Sequence, residues 1–284
     1  MSLQNIIIKL QEFWSQNGCY IASGYDTEVG AGTMTPDTFF RVLGKKHWRV
    51  AFWQPSRRPD DGRYAKNPNR VQKHNQFQVI LKPVPDNGQS LFLNSLNHLG
   101  IDIRSHDIKF DEDNWASPSI GAWGVGWQIM CDGLEITQFT YFQQAGGIGL
   151  NPNSLEITYG LERLATFLDK RNNIYNLKWG HNVSYSELRT EEEKQFSIYN
   201  FEVANIDFLR NIFDQYKNEA KKLIELNLYL PAYDYVLKCS HTFNILDARK
   251  AISTAERTTL IKTMRDLSSN IAKKYIKDTE KKNE

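Results

Sequence analysis

Cysteine is scarce in this chain, and what there is does not pair. Cys19, Cys131 and Cys239 stand far apart with no CxxC spacing, which argues against a disulfide framework and a thiolate zinc site and suits a reducing cytosol. The six His show neither HxxxH nor HExxH spacing. The N-terminal apolar run, Ile6-Ile7-Ile8, is too short for a signal peptide or a membrane span. No membrane role is therefore expected, and the chain reads as a cytoplasmic protein. Charge of one sign is also lacking: 35 basic against 33 acidic residues leave a net +2. If RNA is a partner, much of the grip must come from another chain or from one local patch. No internal repeat or low-complexity segment is visible.

What is present describes an ordinary globular protein. Its 284 residues fit one large domain plus a smaller one. With 40% hydrophobic and 24% charged residues a normal core can form, and disorder is not expected. The 12% aromatic content reads mostly as core.

The spacing predicts an amphipathic helix over 3–17, capped by Ser2, with Leu3, Ile6, Ile7, Leu10, Phe13 and Trp14 on one face. A Gly/Thr loop at 30–35 precedes Pro36 and a short helix. From 47 to 144 the pattern turns to strands. In His47–Gln54, Trp48, Val50 and Phe52 alternate with Arg49, Ala51 and Trp53. A polar loop, 55–74, leads to a second strand over 77–82, and Ile108 and Phe110 mark a third. Asp132-Gly133 is a hairpin signal between strands 126–131 and 134–143. A Gly-rich loop at 146–149 precedes a helix predicted from about Leu155 to Asp169. After about residue 175 the strands stop, and helices are predicted over 205–228, 232–246 and 247–277, with a frayed end at 278–284. The expected fold is α+β, an antiparallel sheet flanked by helices over 1–174 followed by a C-terminal helical domain over 175–284.

Three segments carry possible chemistry. Pro55-Ser56-Arg57-Arg58-Pro59-Asp60-Asp61-Gly62-Arg63 places guanidinium groups in a loop between strands. Such groups fork onto phosphate oxygens, although from the residues alone a solvated charged loop is the more ordinary reading. Asp132 to Tyr141 puts Glu135 and Gln138 in a strand expected to be central and buried, where a carboxylate needs a cation: Mg²⁺ with substrate phosphates, or a structural Arg. Glu156 to Arg163 runs from strand to helix, with Arg163 one turn in, where an anion is favoured. Gly-Leu-Glu-Arg alone is common in ordinary helices.

In this order and spacing the pieces resemble the second and third signature motifs of class II aminoacyl-tRNA synthetases, with Pro36 matching the proline of the first. The stretches Phe39 to Gly44, Gln54 to Tyr64 and Glu135 to Gln144 are most similar to the glycyl-tRNA synthetase alpha subunit family of bacterial heterotetrameric enzymes. The similarity spans nearly the whole chain. One departure stands out: Arg58-Pro59-Asp60 occupies the place of the usual Arg-x-Glu.

The resemblance implies a class II catalytic fold that activates glycine with ATP and Mg²⁺ and then charges tRNA(Gly). It also implies a homodimer of alpha chains, built around 30–45, within a tetramer with two beta subunits. By the same resemblance, Arg58 holds the α-phosphate and Arg163 the γ-phosphate, Phe77 stacks on adenine, and Glu135 binds the metal with Gln138 nearby. Asp60 belongs to the ATP site with an uncertain contact. Glu156 takes the glycine ammonium, and Thr33, Gln78 and Trp115 line its pocket. Selection works by excluding larger side chains, so no editing segment is expected. A fold of this type activating another carboxylate, such as asparagine or biotin, and a non-catalytic tRNA-binding module are the rival readings. The latter requires the loss of Arg58, Glu135 or Arg163, and all are present.

Overall fold

The computed structural model describes residues 1–281. In chain order the elements are α1 (Leu3–Gln16), β1 (Tyr20–Ile21), α2 (Pro36–Val42), β2 (Trp48–Arg57), β3 (Lys73–Lys82), α3 (Gly88–Leu99), β4 (Ile108–Glu112) and β5 (Trp115–Ser117). Next come β6 (Ala122–Cys131), β7 (Leu134–Ala145), β8 (Ile148–Gly160), α4 (Leu161–Leu168), β9 (Lys178–Gly180) and β10 (Val183–Ser184). The chain closes with α5 (Tyr185–Ile198), α6 (Ile206–Glu225), α7 (Tyr229–Ala248) and α8 (Thr254–Lys281). The main sheet runs β1-β2-β3-β8-β7-β6-β4, with β5 also on β6; β1 and β2 are parallel and the other pairs antiparallel.

Alternation along the strands gives the sheet two apolar faces. On β2, Ala51 and Trp53 point into a core shared with α1, α3 and α4, while Val50 and Phe52 point into a second core shared with α2, α6, α7 and α8. The period-2 pattern of the sequence thus reads correctly on both sides. On β3, β7 and β8 the second face changes character along its length. Ile80 and Phe142 are apolar and covered by the helices. Further along come Gln78, Gln76, Gln138, Glu156 and Thr158, paired in register across the three strands. The site forms where the apolar cover ends.

Several predicted elements differ. The helix expected from Leu155 is strand up to Gly160, because Leu155, Ile157 and Tyr159 alternate into the first core while Glu156 and Thr158 face the other way. Helix α3 lay in the stretch read as strands, yet Phe92, Leu96 and Leu99 are buried at i, i+4 and i+7 spacing. Beyond 175, β9 and β10 form a small hairpin, and α5 begins in a Ser184–Glu187 capping box. Helix α8 continues through 278–281, so that part of the expected frayed end is helical; 282–284 lie outside the described residues. The hairpin turn expected at Asp132-Gly133 is present, with positive φ at both residues, and the Gly-rich loop read as leading to a helix is a second hairpin, between β7 and β8, with positive φ at Gly146 and Gly147.

Buried Lys82 anchors α2. Its Nζ donates to the carbonyls of Val42 (2.7 Å), Leu43 (3.0 Å) and Gly44 (2.7 Å), with Arg41 at 3.3 Å, capping the end of the helix. Helix α7 holds the turn before α2: Tyr233 donates to the Met34 carbonyl at 2.8 Å and stacks on Phe39 with centroids 4.3 Å apart.

Candidate active site

A cleft opens on the polar half of the sheet between the β2–β3 loop, β7, β8 and the start of α4. Its floor is Glu156 on β8, 2% exposed. Thr33 Oγ1 and Gln78 Nε2 both donate to one of its oxygens. The Gln78 carbonyl oxygen accepts from Thr158 Oγ1 at 2.8 Å. All these partners are neutral, so burial pushes the Glu156 carboxyl up to about 7 while the hydrogen bonds pull it back. The chain folds tightly over this point. At Gly32 an added Cβ would lie 2.7 Å from Gln78 Oε1, which leaves room for glycine alone, and the Gly32 N–H donates to Gln76 Oε1 at 2.9 Å.

One wall is cationic. Arg58 follows directly on β2; its N–H donates to the Gln72 carbonyl (2.6 Å) and its Nε to the Gly30 carbonyl (3.0 Å). Arg163 lies in the first turn of α4, with Nη1 2.5 Å from Glu135 Oε2. Burial lowers the Arg58 guanidinium from its usual range; Asp61 and Glu135 oppose that shift and the charge of Arg163 adds to it. Glu135, Gln138 and Asp113 also line the cleft, with Gln138 Nε2 donating to the Asp113 carbonyl at 3.0 Å. Glu135 sits beside a bulge where β7 slips against β6, and its side chain is 38% exposed. The sequence reading had it buried; the irregularity turns it outward into the cleft.

Arg58, Glu135, Gln138, Arg163, Thr33, Trp115 and Glu156 all line this one cleft, and Gln78 braces its floor. Two expected members do not. Phe77 is fully buried in the first core, edge-on to Tyr159 at 6.2 Å. It alternates with Gln76 and Gln78 and so points through the opposite face of the sheet, away from the cleft. Asp60 turns away toward the helical region, 3.1 Å from Lys250 Nζ, and its neighbour Asp61 lines the cleft instead.

Residues missed in the sequence include His74, Gln76, Arg70 and Asp113. The alternation of β3 carries the signal for two of them: Gln78, Gln76 and His74 share a face. Burial, and then the charges of Arg58 and Arg163, hold His74 well below the usual imidazole range, so its ring stays neutral. Outside the cleft, ligand atoms of His106, Cys131 and Asp132 lie within 4.8 Å of one another. Asp132 is already engaged, with His106 Nδ1 at 2.8 Å and the Asp107 N–H donating at 2.8 Å. Burial pushes the Cys131 thiol up to about 11.

Comparison with known proteins points the same way along the whole chain. A family model described as Glycyl-tRNA synthetase alpha subunit matches residues 3–280. The glycine–tRNA ligase alpha subunit of Coprothermobacter proteolyticus is 55% identical over 282 residues, 99% of this chain and 97% of that one. Among solved structures, a pyrrolysyl-tRNA synthetase of Desulfitobacterium hafniense aligns with a TM-score of 0.45 at 11% identity, over 64% of this chain and 74% of the other. A second structure of that enzyme gives 0.44 at 12% identity, over 64% and 75%. Likenesses this distant carry no information about ligands.

Proposed function

Since the chain belongs to the glycyl-tRNA synthetase alpha subunit family, whose reaction is the ATP-dependent charging of tRNA(Gly) with glycine, we propose how its cleft activates the amino acid. The observation that carries the proposal is Glu156, a buried carboxylate braced by Thr33 and Gln78 with no cationic partner among the described residues. A small ammonium is what such a group lacks. Glycine bound there directs its carboxylate toward Arg58. One carboxylate oxygen attacks the α-phosphorus of ATP, the bond to the bridging oxygen breaks, and pyrophosphate leaves as glycyl-adenylate forms. A ribose hydroxyl at the tRNA 3′ end then attacks the glycyl carbonyl carbon, and AMP departs.

The reacting carboxylate is itself the nucleophile, so the protein supplies position and charge. Arg58 neutralises charge growing on the α-phosphate, and Arg163 holds the γ-phosphate at the start of α4. With Phe77 in the core, His74 is the ring that β3 offers to adenine. Trp115 closes the side of the cleft against larger amino acids. The carboxylates of Glu135 and Asp113 and the amide oxygen of Gln138 are oxygen donors in the cleft and would suit Mg²⁺. When bound with ATP, that ion neutralises phosphate charge.

We further assign residues 1–174 to the catalytic domain and 175–284 to a helical domain that meets the tRNA acceptor end or a beta subunit. Assembly as two alpha and two beta chains in the cytoplasm accords with the family and with the absence, among the described residues, of any helix long and apolar enough to cross a membrane.

The test is a thermal-shift comparison with non-hydrolysable glycyl-, alanyl- and aspartyl-adenylate analogues. At a hundred times its dissociation constant a ligand adds about 2.7 kcal/mol, enough to raise the Tm by a few degrees. A shift with the glycyl analogue alone supports the assignment. A shift with another analogue replaces the substrate.

A further inference from the structure

The β2–β3 loop, residues 58–72, brings Arg58, Asp61 and Arg70 to the cleft. A charged loop of this length samples many conformations unless something outside the two strands fixes it. The loop meets Lys250, just past α7, through Asp60, and Ile174 through the Pro68 carbonyl, and its buried tie is on α5. Glu193, 3% exposed, accepts from the Arg63 N–H with Oε1 (2.8 Å) and from the Gln72 N–H with Oε2 (2.9 Å). One turn later, Ser197 Oγ accepts from the Tyr64 N–H at 2.9 Å and lies 3.4 Å from Glu193 Oε1. The preceding Glu192 pairs with Lys73 Nζ at 2.7 Å, where β3 begins. Gln72 is the link inward: its N–H goes to Glu193 and its carbonyl accepts the Arg58 N–H at 2.6 Å. Two hydrogen bonds therefore connect the α5 carboxylate to the backbone of the phosphate-gripping arginine.

We propose that Glu193 is a positioning residue for ATP: it touches no substrate but sets the place of Arg58 by holding the Arg63 and Gln72 amides of this loop. A buried carboxylate spent on two backbone amides is an expensive way to fix a surface loop. It is intelligible if the loop must present charged groups at set positions. The inference rests on the reading that Arg58 holds the triphosphate.

Glu193→Gln keeps the shape and one acceptor but turns an NH₂ toward the second amide. Losing one charge-assisted hydrogen bond should raise the KM for ATP in pyrophosphate exchange about tenfold. The KM for glycine should stay within about twofold, since Glu156 and its partners are untouched. An unchanged KM for ATP, or equal rises in both constants, overturns the proposal. Should the variant not fold, hydrogen exchange on the unmodified protein decides. The Arg63 and Gln72 amides must be protected beyond the exposed loop amides that have only local turn bonds, such as Lys66, and exchange at the same rate overturns the clamp. Arg58→Ala separates the two levels. Loss of exchange there with no ATP effect from Glu193→Gln sinks this inference alone, whereas unaffected Arg58→Ala removes the reading beneath it.

Discussion

Arg163 Nη1 lies 2.5 Å from Glu135 Oε2, joining the start of α4 to the bulged strand β7. Both side chains are well exposed, 43% and 38%, so the pair contributes little to stability, on the order of 0–1 kcal/mol. Its meaning is functional. Each member is assigned a partner of opposite sign in the ATP complex, a phosphate for Arg163 and a metal ion for Glu135. In the proposed mechanism the pair would keep the two charges satisfied until those partners arrive, and its weakness would let them be exchanged.

Glu135→Gln should therefore raise the Mg²⁺ concentration needed for half-maximal pyrophosphate exchange, by about tenfold if one charged ligand is worth what a charge-assisted bond usually is. The KM for glycine should not move. A Mg²⁺ titration of exchange activity checks this, and an unchanged midpoint would show that Glu135 serves Arg163 alone.

Glu156 links substrate binding to pH. Burial holds its carboxyl up to about 7, and only the ionised form attracts the glycine ammonium. The kcat/KM for glycine should then fall toward tenfold per unit as pH drops below 7. Stability runs the other way. Between about 4.5 and 7 the folded chain holds a proton that the unfolded chain has released, so stability declines as pH rises through that window. By pH 8 the full penalty of roughly 3 kcal/mol is present. Glu156→Gln should raise the Tm at pH 8 by several degrees and change it little at pH 5. The same substitution should lower kcat/KM for glycine about a hundredfold, as expected when a buried charge-assisted contact is removed. Scanning fluorimetry at both pH values, with glycine-dependent exchange, tests the pair of effects. A fall in Tm at pH 8 would show that the neutral donors fully offset the burial.

How legible this was in the sequence depended on period and register. Short-range alternation identified both faces of β2, because a pleated strand writes its environment into every second residue, and the Asp-Gly pair marked the hairpin at Asp132. The same rule, applied from Gln78 back to His74, separates Phe77 from the cleft, but a motif resemblance suggested otherwise. The Glu135 bulge was not legible: one extra residue in a strand leaves no mark on composition. Nor was the Glu193 clamp, whose partners are backbone amides more than a hundred positions away. Asp60 and Asp61 are chemically almost the same, and only the turn after Arg58 decides which one meets the cleft.

Lys82 shows how far from the chemistry the cleft is supported. Its ammonium satisfies the carbonyls that end α2, the helix that continues directly from the Thr33 turn. Lys82→Met fills the space but leaves those acceptors unmatched in a buried place. The expected loss is about 2–4 kcal/mol in urea unfolding. Because α2 and the turn share a backbone, the KM for glycine should also rise. A stability loss of less than about 1 kcal/mol would mean the carbonyls find water instead.

The last prediction sets two residues of one strand against each other. His74 faces the cleft as a neutral ring between Arg58 and Arg163, whereas Phe77 packs edge-on against Tyr159 in the core below. His74→Ala should raise the KM for ATP about tenfold, the usual scale of one lost stacking contact, with little change in Tm. Phe77→Leu should do the reverse, lowering stability by about 1–2 kcal/mol through imperfect filling of its site while leaving the KM for ATP unchanged. Measured side by side, the two variants separate a substrate contact from a packing contact three residues apart. If Phe77→Leu alone weakened ATP binding while His74→Ala did not, His74 would not be the ring that meets adenine.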